Sequence, residues 1–246
     1  MKHLYVLLAL FAMQILSAQK LSSISYSDNG KPLSGKTIKT NKKNIPGVLI
    51  LPAWMGIDSE AEQAAVNLNN QGYKTFIADI YGVGNEPKDA KQAKELSSYY
   101  KTNPEIYQQR IQLALNELIK QGADPNKIAV IGYCFGGTGA LETARGILPV
   151  QGVVSIHGNL GKGDRANGPI KTKVLVLNGA ADASVSKQEI LNFEQEMDQA
   201  EADWQFINYA NCKHTFTNPA SPDYNKIMAD RSWQHILLFL DEVLRN

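Results

Sequence analysis

The hexapeptide Gly132-Tyr133-Cys134-Phe135-Gly136-Gly137 constrains this chain more than any other segment. It directly follows the apolar run at 127–131 and precedes a helix-compatible stretch at 138–145. Apolar β-branched residues, then a Gly-x-Cys-x-Gly-Gly turn, then helix formers read as strand, tight turn and helix. The glycines let strand and helix approach while one reactive side chain sits at the apex. A thiol there lies at a helix N-terminus, where the partial positive charge favours an anion. A dinucleotide fingerprint fails, because Cys134 occupies its second glycine position, and the Gly-Lys-Ser/Thr ending of a phosphate loop is missing. The plainer alternative is a buried packing cysteine beside a glycine-rich turn.

The rest of the chain alternates strands with helices. Residues 22–42, with Asp28-Asn29-Gly30, read as a β-hairpin decorating a sheet edge. Strands are expected at 48–51, 74–80, 127–131, 150–156, 174–177 and 204–209. Helices are expected at 58–71, with Ser59 and Glu62 spaced as a capping box, and at 89–100. Others fall at 104–121, led by Asn103 and Pro104, and at 187–200 and 223–245. This order predicts a three-layer α/β sandwich with a mostly parallel central sheet. The strand–Cys134–helix turn then reads as the nucleophile elbow of an α/β-hydrolase fold, with cysteine where serine is usual. Ligands of such sheets bind beyond the carboxyl ends of the strands.

A nucleophile needs a base, and the base needs an orienting acid. His214 lies in a loop just after the strand at 204–209, and Asp182 follows the strand at 174–177. The order Cys134, Asp182, His214 is the nucleophile–acid–histidine order of this fold. His157 ends a strand at the same edge and is expected to line the pocket. His235 lies in the last helix and reads as a surface or packing residue. Cys212 and His214 alone make a poor metal site, so neither a metal nor a cofactor is expected. Cys134 and Cys212 are the only cysteines, and Cys212 is expected to be free and packed beneath the histidine loop.

The chain has 246 residues, 43% hydrophobic and 20% charged, which suits one globular domain. Lys2, the apolar stretch at 4–15 and the small residues Ser17-Ala18 read as a secretory signal peptide over residues 1–18. Residues 19–246 would then be a single periplasmic or secreted domain. No cysteine follows the cleavage site, which argues against a lipid anchor. Loss of Lys2 brings the 25 basic residues level with the 24 acidic ones, and that balance suggests neither a nucleic acid nor a membrane partner. A monomer or weak homodimer is expected.

Five segments together resemble the dienelactone hydrolase family: Val48-Leu49-Ile50-Leu51-Pro52 with Gly56, Gly72-Tyr73 leading to Asp79-Ile80-Tyr81, the hexapeptide, Asn178-Gly179 with Asp182, and His214-Thr215-Phe216. The resemblance implies a cofactor-independent hydrolase that cleaves a small ester or lactone through a cysteinyl thioester. It also implies an oxyanion hole from the backbone N–H groups of Phe135 and Trp54. From their places near the site, Met55, His157 and Phe216 are expected to line the substrate pocket. Three positions depart from the family. Ala53 stands where family members carry an activating glutamate. Gly82-Val83-Gly84 and Thr217-Asn218 stand where dienelactone-cleaving members place arginines for a substrate carboxylate. A non-catalytic or slow binding protein on the same fold is the alternative reading.

Overall fold

The computed structural model describes residues 20–245; the expected signal peptide over residues 1–18 lies outside them. β1 (Leu21–Asp28) and β2 (Lys31–Ile38) form an antiparallel hairpin. Asn29 and Gly30, both at positive φ, make its turn. β2 continues antiparallel onto β4 (Lys74–Ile77). From there β3 (Ile45–Leu51), β5 (Ala123–Tyr133), β6 (Gly152–Ile156), β7 (Lys173–Gly179) and β8 (Trp204–Tyr209) run parallel. The eight-stranded order is β1-β2-β4-β3-β5-β6-β7-β8.

Period-two alternation divides the core. Val48, Ile50, Ile131, Val154 and Leu177 face α1 (Ser59–Asn70) and α6 (Lys226–Arg245). Leu49, Leu51, Val130, Val153 and Val176 face the other layer. That layer holds α2 (Ala90–Thr102), α3 (Pro104–Lys120), α4 (Phe135–Arg145) and α5 (Lys187–Gln199). Burial on both faces explains why the central strands are near-continuous apolar runs. Ile236, Leu240 and Leu244 dock α6, one helical turn apart, with Leu237 and Val243 at the margin.

Several element ends differ from the sequence reading: β5 already starts at Ala123, α6 only at Lys226, and three further places have a visible cause. The cap of α1 is Asp58, whose carboxylate accepts the Ala61 N–H; Ser59 is already helical, and Glu62 pairs with Lys36 instead. Asn103 precedes α3, but its side-chain amide donates to the Tyr99 carbonyl and leaves the cap unmade. β4 ends at Ile77, because Asp79 turns inward to accept the Ser34 and Gly82 N–H groups. Tyr26 Oη donates to the Asp79 carbonyl and accepts its N–H, fastening the hairpin to this loop. Among the described residues no helix is long and apolar enough to cross a membrane.

Candidate active site

β5 delivers Cys134 to the sheet's carboxyl edge, and α4 begins with the next residue. The elbow is tight enough to require its glycines. A Cβ on Gly132 would collide with the Gly136 carbonyl, and one on Gly136 with the Leu51 carbonyl at the end of β3. Cys134 itself has φ 52° and ψ −113°, a region that costs a non-glycine residue about 1–3 kcal/mol. Packing of the next residue holds the elbow in place. Phe135 stacks on Tyr107 at 4.7 Å and on Tyr81 at 5.6 Å, and Tyr107 Oη donates to the Phe135 carbonyl.

The structure brings together the three residues that the strand order selects. His214 Nε2 lies 3.0 Å from Cys134 Sγ, and His214 Nδ1 lies 2.7 Å from Asp182 Oδ2. Asp182 Oδ1 accepts from both the amide and the hydroxyl of Ser184, at 2.8 and 2.7 Å. Burial pulls His214 down, yet its bonds to Asp182 and Cys134 prevail and carry its pKa up to about 10. Burial works against ionised Asp182, but the His214 and Ser184 bonds hold its carboxyl below the usual range. Ser184 was missed from sequence; its only signal is its place two residues after the acid.

Phe135 follows Cys134 in the elbow, and Trp54 lies in the loop after β3. Among the described residues neither backbone N–H donates to a protein acceptor, and Phe135 is the first residue of its helix, where such groups are free. Tyr81 Oη donates to the Trp54 carbonyl at 2.8 Å and fixes that peptide's orientation. A cavity of about 280 Å³ adjoins them, lined by Ala53, Met55, Tyr81 and Phe135, and by Lys36 from β2. Met55 is half exposed at its mouth.

Two expected pocket residues lie behind the site instead. Phe216 is fully buried against Tyr209 and His157. His157 is 1% exposed, and both ring nitrogens are engaged, Nδ1 with the Cys134 N–H and Nε2 with Thr217 Oγ1. It takes φ 41° to reach them. Burial and the nearby charge on His214 push its pKa down to about 3. His235 bonds Tyr209 Oη at 2.6 Å, a packing contact. Cys134 and Cys212 are free thiols, and Cys212 is buried, its carbonyl accepting the Ala181 N–H.

The dienelactone hydrolase family model matches residues 35–244. A protein of Bradyrhizobium sp. named "Probable 2-oxo-3-(5-oxofuran-2-ylidene)propanoate lactonase" is 24% identical over 208 residues, covering 80% of this chain and 83% of the relative. The crystal structure of a dienelactone hydrolase-like promiscuous phosphotriesterase from metagenomic libraries superposes with a TM-score of 0.82 at 28% identity. That match covers 91% of this chain and 98% of the other. An acylaminoacyl peptidase of Pyrococcus horikoshii, at 12% identity and a TM-score of 0.70, covers 92% of this chain and 42% of its own. It shares the fold alone.

Proposed function

The chain belongs to the dienelactone hydrolase family and is an ester-bond hydrolase, and from that membership we propose that it cleaves neutral carboxylic esters or lactones through Cys134, His214 and Asp182. The observation that carries this reading is the unbroken line from Cys134 Sγ through the His214 ring to Asp182, at 3.0 and 2.7 Å. Asp182 holds the ring with Nδ1–H toward itself and stabilises the imidazolium. Nε2 is thereby aimed at sulfur.

The reaction then runs in two halves. Sγ, its proton on His214, forms a bond to the substrate carbonyl carbon, and the carbonyl electron pair moves onto oxygen. The Phe135 and Trp54 N–H groups receive that oxyanion in this reading, and one such donor typically contributes about 3–4 kcal/mol to the transition state. The carbon–alkoxide bond breaks, and His214 gives its proton to the leaving oxygen. A thioester remains. Water gives a proton to His214 Nε2 as its oxygen attacks the thioester carbonyl. Expulsion of Sγ releases the acid and restores the thiolate–imidazolium pair. The cavity beside Phe135 is suited to hold one arm of the substrate.

Turnover of 4-nitrophenyl acetate by wild type and by Cys134→Ala tests this. The alanine variant is expected to lose at least about a thousandfold in kcat, as removal of other activated nucleophiles does, and iodoacetamide is expected to label Cys134 first. Equal turnover by the variant overturns the assignment. Absence of turnover in both proteins favours a binding role on the same fold.

A further inference from the structure

We propose that Glu60, Thr217 and His157 form a hydrogen-bonded positioning chain that ends on the backbone N–H of Cys134 and couples an acidic group to the nucleophile. The proposal rests on the reading of Cys134 as nucleophile. It gives this chain an acid at its reactive centre although Ala53, directly after β3, carries none.

The direction of every bond follows from one end. The Cys134 amide N–H lies 2.9 Å from the Ile156 carbonyl and 3.1 Å from His157 Nδ1. An amide N–H can only donate, so Nδ1 holds a lone pair and the ring hydrogen of neutral His157 sits on Nε2. Nε2 lies 2.9 Å from Thr217 Oγ1 and donates to it. The threonine hydroxyl then turns its hydrogen to Glu60 Oε1, at 2.7 Å. His157 is buried and held neutral, so the chain keeps this polarity. It joins the first turn of α1, the histidine loop three residues past His214, the end of β6 and the elbow. Two of the residues it ties together, Cys134 and His157, have positive φ. Strained backbone of this kind persists only where surrounding contacts over-determine it.

Glu60 is 8% exposed, and its opening to solvent is the cavity it shares with Thr217. It lines a cavity of about 490 Å³ between α1 and α6, with Tyr133, Thr217, Asp230 and Trp233. A proton can therefore reach Glu60 from the side away from substrate. The titratable groups facing it are Asp58 on its own element, Tyr133 on β5, His157 after β6, His214 in the histidine loop, and Tyr224 and Asp230 across the cavity. Burial raises Glu60 to about 7, against the Thr217 bond and the charge of His214. An ionised carboxylate accepts the Thr217 hydroxyl more strongly than a neutral acid does. Its charge also favours the imidazolium of His214, the form paired with a reactive thiolate. Ionised Glu60 thus tightens the elbow and favours the reactive pair together.

The test is the pH dependence of Cys134 alkylation by iodoacetamide, which needs no ester turnover. The wild-type rate is expected to carry a rising limb with its midpoint near pH 7. Glu60→Gln, which keeps the acceptor but not the charge, is expected to remove that limb. Thr217→Val, which keeps the charge but breaks the chain, is expected to lower kcat with KM little changed. The loss should be about tenfold, or about 1.4 kcal/mol, on the scale of one buried hydrogen bond. Thr217→Ser should restore it. Thermal melting checks that each variant is folded, and if Glu60→Gln does not fold, the Val and Ser variants at 217 decide the matter. Wild-type alkylation profiles in Glu60→Gln, or wild-type kcat in Thr217→Val, overturn the proposal. If Cys134→Ala still hydrolyses ester, the functional reading fails, while the alkylation profiles still report on the chain.

Discussion

Glu60 shows how one buried side chain links function to stability. Its pKa is raised to about 7 in the fold, above the usual glutamate value, because burial penalises the carboxylate more than the Thr217 bond helps it. A raised acid contributes stability that is fully present below its unfolded pKa and is lost as pH rises through the folded value. The window is therefore roughly pH 4.5 to 7. The shift corresponds to roughly 3 kcal/mol favouring the protonated form at the ordinary conversion per pKa unit. Urea unfolding of wild type and Glu60→Gln across this window should show the variant gaining relative stability as pH rises, by up to that amount. A constant difference between the two would show that Glu60 titrates in the fold as it does in the unfolded chain. If wild type does lose stability while its alkylation rate rises, the same ionisation strains the fold and favours the reactive pair.

At the scale of elements, the parallel sheet assembles the site. Ala53 follows β3, Cys134 follows β5, His157 follows β6, Asp182 lies past β7 and His214 past β8. Each reactive group occupies the loop after a different strand. The positions of Cys134, Asp182 and His214 were therefore legible from strand endings and chain order. The second tier was not, because its links ignore that order. Glu60 and Thr217 are 157 residues apart, and their bond depends on α1 and the histidine loop packing on the same face of the sheet. His157 was placed at the right edge but on the wrong side of the nucleophile, because a positive φ turns its ring beneath Cys134. Phe216 follows the histidine by two residues, yet the loop buries it on the α6 side. The early end of β4 was equally hidden. An Asp after an apolar run does not reveal that two amide donors, from β2 and from its own turn, await it.

For the whole molecule, two features bear on where it works and on what. The basic, apolar and small pattern of residues 1–18 carries the proposal of export. The intact mass of protein recovered from the periplasm or medium should begin near Gln19; full-length protein confined to the cytoplasm would refute it. The second feature is the charge around the substrate cavity. Asp79 and Glu86 line it with Lys36, and Lys36 Nζ is already paired with Glu62 at 2.5 Å. Lys213, next to His214 in the histidine loop, is exposed and paired with Asp223 at 3.2 Å. The two places where the family resemblance would put arginines hold Gly82-Val83-Gly84, with Val83 exposed, and Thr217-Asn218, with Thr217 bonded to Glu60. A substrate carboxylate entering this cavity would give up water without a free cation to receive it, which is unfavourable. The neutral ester of a matched pair is therefore expected to have the higher kcat/KM. Glu62→Gln should shift the ratio toward the anion by releasing Lys36. It should cost little stability, because a partly exposed lysine–glutamate pair contributes only about 0–1 kcal/mol. A wild-type preference of tenfold or more for the carboxylate, about 1.4 kcal/mol, would mean that a cation serves the pocket after all. Loss of that preference in Lys36→Gln would then identify it.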